Sequence, residues 1–343
     1  MEKGWKFKKG LIMLLAGILL GACTETGDVP PPAEPGEPVT VSFVMYKGSA
    51  EEDLQSGTDA QTRAITTRAK DIPAGSMLRV YVYKAGSNDW EKPVATAEYT
   101  VQADGTATGE MPLYRGQYDF YLFSYNSSTD TPELTSDGRG VIDVYNGRDF
   151  MYNRLKGMTV QPGSAGQTMM QAPLTAPFKR MGTQVQVRVK ANYGNNVPIS
   201  PTSLKVNNIK VKGLPEKLSF PLGGTAWQAA ENYDGPAFQY SAFTNNNNGV
   251  GDFRESKEEV LLPVNGSAML TFTVNLTVGY NDGGEIKSLT DDYVASIVKE
   301  LLPGMKYVFD FTLTFYGVLE PSDLTLAVRG YTETELPSDE IGK

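Results

Sequence analysis

Histidine is absent from the 343 residues, and cysteine occurs once. Without histidine or a second cysteine, no Ser-His-Asp triad, Cys-His dyad, His-ligated metal site, internal disulfide or cysteine zinc cluster can be assembled. Basic residues are also in deficit, 31 Lys+Arg against 40 Asp+Glu, for a net charge of −9. Nucleic acid is thereby excluded as a partner, because phosphate affinity comes from clustered Lys and Arg. Long apolar runs are missing too; the one at residues 11–22 has 12 residues, short of the ~20 that span a bilayer as a helix. What is plentiful is Gly (35) and Pro (21), with 40% apolar residues, a composition of many turns around ordinary cores. The length exceeds the usual ~100–200 residues per domain, which predicts two domains. Acidic pairs such as Asp291-Asp292 and Glu51-Glu52-Asp53 fall in expected caps or loops and read as solvated surface. The expectation is a protein that is not an enzyme, with no catalytic residue, metal or cofactor.

The first residues read as an export signal. Lys3, Lys6, Lys8 and Lys9 give a positive start to residues 1–22, and the apolar run follows. That run ends Leu20-Gly21-Ala22-Cys23, which resembles a bacterial lipobox. Small residues before the cysteine suit a signal peptidase pocket, and the Cys23 thiol would accept diacylglycerol, its freed amine a further acyl chain. Several acyl chains hold a protein on a membrane where one alone is marginal. Removing the signal leaves 27 positive and 39 negative side chains, a net charge of −12. The lipid, not a basic patch, is then the membrane attachment.

Residues 23–38 carry Pro30, Pro31, Pro32, Pro35 and Pro38 among Glu and Asp, an extended tether. In residues 39–46, Val39, Val41, Phe43 and Met45 form one apolar face, which predicts a strand buried on that side. Residues 48–70 lose all periodicity and read as an exposed loop holding Arg63 and Arg68. Strand patterns then recur at 77–82, 94–101, 118–125, 184–190, 204–211, 270–278, 307–315 and 324–328, divided by turns such as Asp104-Gly105 and Asn281-Asp282-Gly283-Gly284. Residues 290–301 read as the one helix, with Tyr293, Val294, Ile297, Val298 and Leu301 as its stripe and Pro303-Gly304 as its stop. Leu113, Gly116, Tyr118, Phe120 and Leu122 are echoed by Leu302, Gly304, Tyr307, Phe309 and Phe311. The echo places a boundary near 170–180. The expected class is all-β: two tandem β-sandwich domains, 39–175 and 176–343, with one short helix.

Other candidates weigh less. Residues 245–249 lack the acidic spacing of a cation loop and read as a hairpin connection. Trp90 and Trp227, each near an expected turn, are either sugar-stacking rings or half-buried anchors.

The order of lipobox, Pro-rich tether, alternating strand, Thr-Arg-rich loop and two β-domains resembles the fimbrillin family of Bacteroidales, the type V pilins. Residues 66–83, from Thr66-Thr67-Arg68 through the Ala74-Gly75 turn to Tyr83, look like that family's entry into its first mature domain. The resemblance implies transthyretin-like, Greek-key sandwiches and a structural subunit of a surface pilus serving adhesion. It implies a lipoprotein of the outer membrane surface, cut by an Arg-specific protease after Arg68 or Arg63, so that 39–68 is a removable pro-segment. The emptied groove would take a strand from another fimbrial subunit by β-strand addition. The candidate donor is 323–334, where Leu324, Leu326 and Val328 alternate with Thr325, Ala327 and Arg329. Gly330 then interrupts the apolar phase and Tyr331 falls on the other one. Two other roles fit the same residues: a lipid-anchored fimbrial anchor or assembly subunit, and a surface glycan-binding lipoprotein using Trp90 or Trp227. A host or bacterial surface receptor is an implied partner of the adhesive role.

The anchor is directly testable. Cys23→Ser should abolish palmitate labelling and leave the precursor unprocessed, because a hydroxyl is a poor nucleophile for diacylglycerol transfer; normal labelling of the variant would refute the lipobox.

Overall fold

A computed structural model describes residues 37–46, 72–137, 139–161, 168–193, 200–230, 232–247, 249–264, 268–315 and, by backbone alone, 324–335. Within these residues the structure is all strand. No helix is present, so none is long and apolar enough to cross a membrane. In chain order come β1 (Val39–Val44), β2 (Met77–Lys84), β3 (Ala95–Val101), β4 (Thr106–Thr108), β5 (Pro112–Leu113), β6 (Gly116–Ser124) and β7 (Val141–Tyr145). Next are β8 (Met151–Val160), β9 (Met169–Pro173), β10 (Lys179–Arg180), β11 (Thr183–Tyr193), β12 (Ser200–Lys212), β13 (Lys217–Pro221) and β14 (Phe238–Tyr240). The last are β15 (Phe243–Thr244), β16 (Arg254–Ser256), β17 (Glu259–Leu261), β18 (Met269–Asp282), β19 (Glu285–Val298), β20 (Met305–Phe315) and β21 (Leu324–Glu335).

A nine-stranded sheet runs β10-β8-β6-β2-β3-β4-β1-β5, with β9 added on β1. A six-stranded sheet runs β15-β16-β11-β20-β21 with β17 on β11, a four-stranded one β14-β12-β18-β19, and β13 pairs with β7 in a two-stranded sheet. All pairings are antiparallel except β1 with β9 and β11 with β20.

Alternation explains most of this. On β11, Val185, Val187 and Val189 point into a sandwich core closed from the opposite sheet by Leu204, Val206, Phe272 and Val274. A bulge between Val206 and Asn208 shifts the phase of β12, so that Ile209 and Val211 continue the buried face. Asn246 secures that bulge: its side-chain amide oxygen accepts from the Val206 N–H and its NH2 donates to the Val206 carbonyl. The Asn-rich segment is thus a structural clasp. Beside it the Arg254 guanidinium, fully buried, donates to the carbonyls of Leu204, Gly249 and Asp252.

The central strands of the large sheet are buried on both faces. Leu78, Val80 and Val82 of β2 and Tyr118, Phe120 and Leu122 of β6 build one core with β1. Their opposite faces, Tyr81, Tyr83, Tyr121 and Phe123, build a second core with Ile142 and Val144 of β7 and with Leu218 and Phe220 of β13. Met181 and Leu262 enter that second core from further along the chain. It is rich in rings. Phe220 lies 4.7 Å from Tyr152, 5.2 Å from Phe150 and 5.5 Å from Trp227, centroid to centroid. At its margin the Asp149 carboxylate takes a two-pronged ion pair from buried Arg180, at 2.7 and 2.8 Å.

Residues 290–301 are not a helix. They belong largely to β19, paired with β18 along the whole of both strands. The glycines of the expected turn, at φ 61° and 97°, reverse the chain, and β18 then offers a fourteen-residue ladder. Thr290, Tyr293, Val294 and Ile297 favour strands, and a short isolated helix has little stability of its own. The sorting is by twos: Tyr293 and Ala295 are buried, while Val294 and Val298 are 60% and 58% exposed. The internal echo does have a structural counterpart. In β6 and β20 the aromatics line a core, and each leading tyrosine closes the preceding turn, Tyr118 by donating to the Tyr114 carbonyl and Tyr307 by accepting from the Leu302 N–H.

The shared core makes one prediction. Phe220→Ala should cost about 3–5 kcal/mol, and tryptophan emission and far-UV circular dichroism should report one shifted denaturant transition. Two separate transitions in the native protein would show that β13 does not join the two ends of the chain energetically.

Candidate assembly site

The residues singled out in the sequence fall into three groups. Val39, Val41 and Phe43 are brought together on β1 and Met45 directly follows it, each between 0% and 4% exposed. Cys23, Arg63 and Arg68 lie outside the described residues. The backbone of Leu324, Leu326 and Val328 lies in β21, opposite Phe315, Leu313 and Phe311 of β20.

The seat of β1 has two unlike sides. Along one, β9 runs parallel from Thr40↔Met169 to Val44↔Pro173. Its ends are closed by the Thr40 N–H donating to the Thr168 carbonyl at 2.8 Å and the Leu174 N–H to the Val44 carbonyl at 2.9 Å. Along the other, β4 and β5 are antiparallel, at Phe43↔Ala107 and Val39↔Leu113. None of these partners is β2, the next strand in sequence. Beneath, Phe43 meets Tyr99 and Phe120 edge to face, at 5.1 and 5.7 Å, an arrangement that aromatic quadrupoles favour.

Between β4 and β5 the ladder on β1 is broken. Val41 and Ser42 face the segment 108–111, two residues more than a continuous ladder would hold. The break leaves the Val41 carbonyl without a backbone partner on that side, and the Tyr99 hydroxyl fills the gap, donating to it at 2.5 Å. Tyr99 comes from β3 and is 1% exposed; burial pushes its phenol well above the ordinary value, so it stays a donor. Gly109 makes the room, for a Cβ there would strike the Glu98 carbonyl and the Tyr99 ring. Sequence reasoning missed Tyr99, Gly109 and β9. The signal for Tyr99 was a tyrosine on the inward phase of an alternating strand, which also fits plain core packing.

Burying the four inward side chains of β1 gives about 1.5–3 kcal/mol apiece before the entropy of ordering the strand is subtracted. Their sum rivals the whole net stability of a typical domain, about 5–15 kcal/mol. The seat therefore requires an occupant.

At the other end of the chain, β21 covers Leu324–Glu335, within one residue at each end of the 323–334 expected. A bulge between Val328 and Gly330 sets Tyr331 opposite Phe309, the ladder phase that Val328 shares with Phe311. The pairing thus continues past Gly330 to Glu335. Among the described residues β21 forms the edge of its sheet, paired with β20 alone. Trp90 and Trp227 are half-buried packing residues. The Trp227 indole N–H donates to the Met181 carbonyl at 2.9 Å, and Trp90 packs so closely on Gly140 and Gly223 that a Cβ at either would collide with it.

Residues 62–327 match the family profile described as fimbrillin-like. No curated protein matches the chain. Among solved structures, a candidate cell adhesion protein of Bacteroides fragilis is 16% identical, with a TM-score of 0.51 over 87% of this chain and 99% of its own. A candidate cell adhesion protein of Parabacteroides distasonis, 9% identical, scores 0.49 over 90% and 99%. The fimbrial anchor protein of Porphyromonas gingivalis, 12% identical, scores 0.40 over 87% and 98%. The first of these shares the fold of this chain.

Proposed function

This chain belongs to the fimbrillin-like family, and from that premise we propose that it is a structural subunit of a surface fimbrium serving cell adhesion, assembled by exchanging β1 for a strand of another subunit. The observation that carries the exchange is the isolation of β1 within its own sheet. Among the described residues it pairs with β4, β5 and β9 and makes no ladder with β2. A first strand bound only through distant partners can be lifted out without unthreading any connection, provided the chain after it is cut. Arg63 and Arg68 stand in that connection, and an Arg-specific protease would supply the cut.

The donor follows the same logic. Among the described residues β21 sits at a sheet edge, hydrogen-bonded in one ladder and packed beside β19, so its release breaks that ladder and that packing. Leu324, Leu326 and Val328 then supply alternating apolar side chains, and main-chain bonds supply affinity. Cys23 carries the lipid that delivers the subunit to the outer membrane. The role is mechanical, not catalytic. An uncut chain retaining its lipid would instead be an anchor, and the N-terminus of the surface protein separates the two: residue 64 or 69 for a processed subunit, acylated Cys23 for an anchor.

Two variants test the assembly route. Arg63→Ala with Arg68→Ala should give folded, uncut protein that makes no fibres; fibres of normal length would refute the cleavage step. Leu326→Asp should give folded, cleaved monomers without ladders on an unboiled gel, since an apolar groove cannot solvate a carboxylate, whereas Thr325→Asp should polymerise nearly as well as the native chain. Ladders from Leu326→Asp would show that β21 is not the donor.

A further inference from the structure

The break opposite Val41 has a consequence for any strand that enters the seat. We infer that Tyr99 sets the register of the occupant, and that the seat takes a strand running beside β9 in the direction of β1, with a bulky apolar side chain two residues after the carbonyl that Tyr99 holds. This rests on the reading of β1 as replaceable.

The two requirements are linked through one side chain. The Tyr99 hydroxyl reaches the Val41 carbonyl at 2.5 Å, while its ring meets the Phe43 ring at 5.1 Å. Along a strand, alternate residues direct side chain and carbonyl alike. A slip of one residue turns the carbonyl toward β9 and the side chains out of the core. A slip of two restores a carbonyl to Tyr99 but moves the bulky side chain off the Tyr99 and Phe120 rings. Only one register satisfies both points. The ladder bonds cannot supply that discrimination, because they repeat every two residues and are broken at this spot. A buried phenol with no acceptor is costly, so an absent occupant, or one slipped by a single residue, leaves an unmet donor as well as a void.

The test uses the full chain, cut in its loop by an Arg-specific protease, and fluorescent peptides covering residues 37–46. One peptide is native, one carries its phenylalanine two positions early, and one has an ester in place of the amide between residues 41 and 42, which weakens the Val41 carbonyl as an acceptor. The native peptide should dissociate about five- to tenfold faster from Tyr99→Phe than from the native protein, as expected for loss of one hydrogen bond. Gly109→Ala, which crowds the ring, should act in the same direction. The displaced phenylalanine should weaken binding at least about tenfold. The ester should weaken binding to the native protein more than to Tyr99→Phe, whereas an ester between residues 43 and 44 should weaken both equally. A purely structural tyrosine would leave the two ester penalties the same in both proteins, and that result overturns the inference while leaving strand exchange intact. If no peptide enters even the native seat, the exchange reading fails and the register role falls with it.

Discussion

Burial on both faces of β2 and β6 governs the rest of this molecule. A strand with one wet face alternates; a strand with none must be apolar almost throughout, and residues 118–125 are nearly all aromatic or aliphatic. The two exceptions are buried and partnered: the Ser124 hydroxyl donates to the Met77 carbonyl, and both Asp119 carboxylate oxygens accept from backbone N–H groups, of Gly86 and Gly157. Such strands need a layer on each side. β1, with the strands around it, supplies one, and β7 with β13 the other, so a strand from beyond residue 200 is required to finish a core begun before residue 100.

That dependence explains which parts of the fold were legible in advance. The alternating strands could be read because each declares its own buried face: Val41 and Phe43, Val80 and Val82, Val187 and Val189. β13 could not, since five residues with Leu218 and Phe220 carry too short a pattern, and their partner lies about seventy residues away. The misreading of 290–301 has a different cause. Tyr293, Val294, Ile297 and Val298 fit a helical stripe better than a strand alternation, since Val294 and Val298 fall on the exposed phase, and the strand came from the ladder offered by β18, which no local window contains.

The assembly site divides in the same way. The inward face of β1 stands plainly in its sequence. The specificity of its seat does not, because it arises from a defect, two surplus residues between β4 and β5, that only the paired strands reveal. Tyr99 and Gly109 acquire their roles from that defect. The bulge after Val328 is likewise a property of the pairing with β20, and it carries the strand past a glycine where the sequence pattern alone would stop.

The parallel pairing of β1 with β9 bears on how a fibre would carry tension. Among the described residues, β9 has no ladder partner but β1, and only five residues separate its end from the start of β10. A strand seated in place of β1 would therefore pull along β9, parallel to it. The hydrogen bonds of that ladder would be loaded in shear, all resisting together, instead of opening one after another like a zipper. In such a joint the direction of one short strand would decide whether it peels or holds.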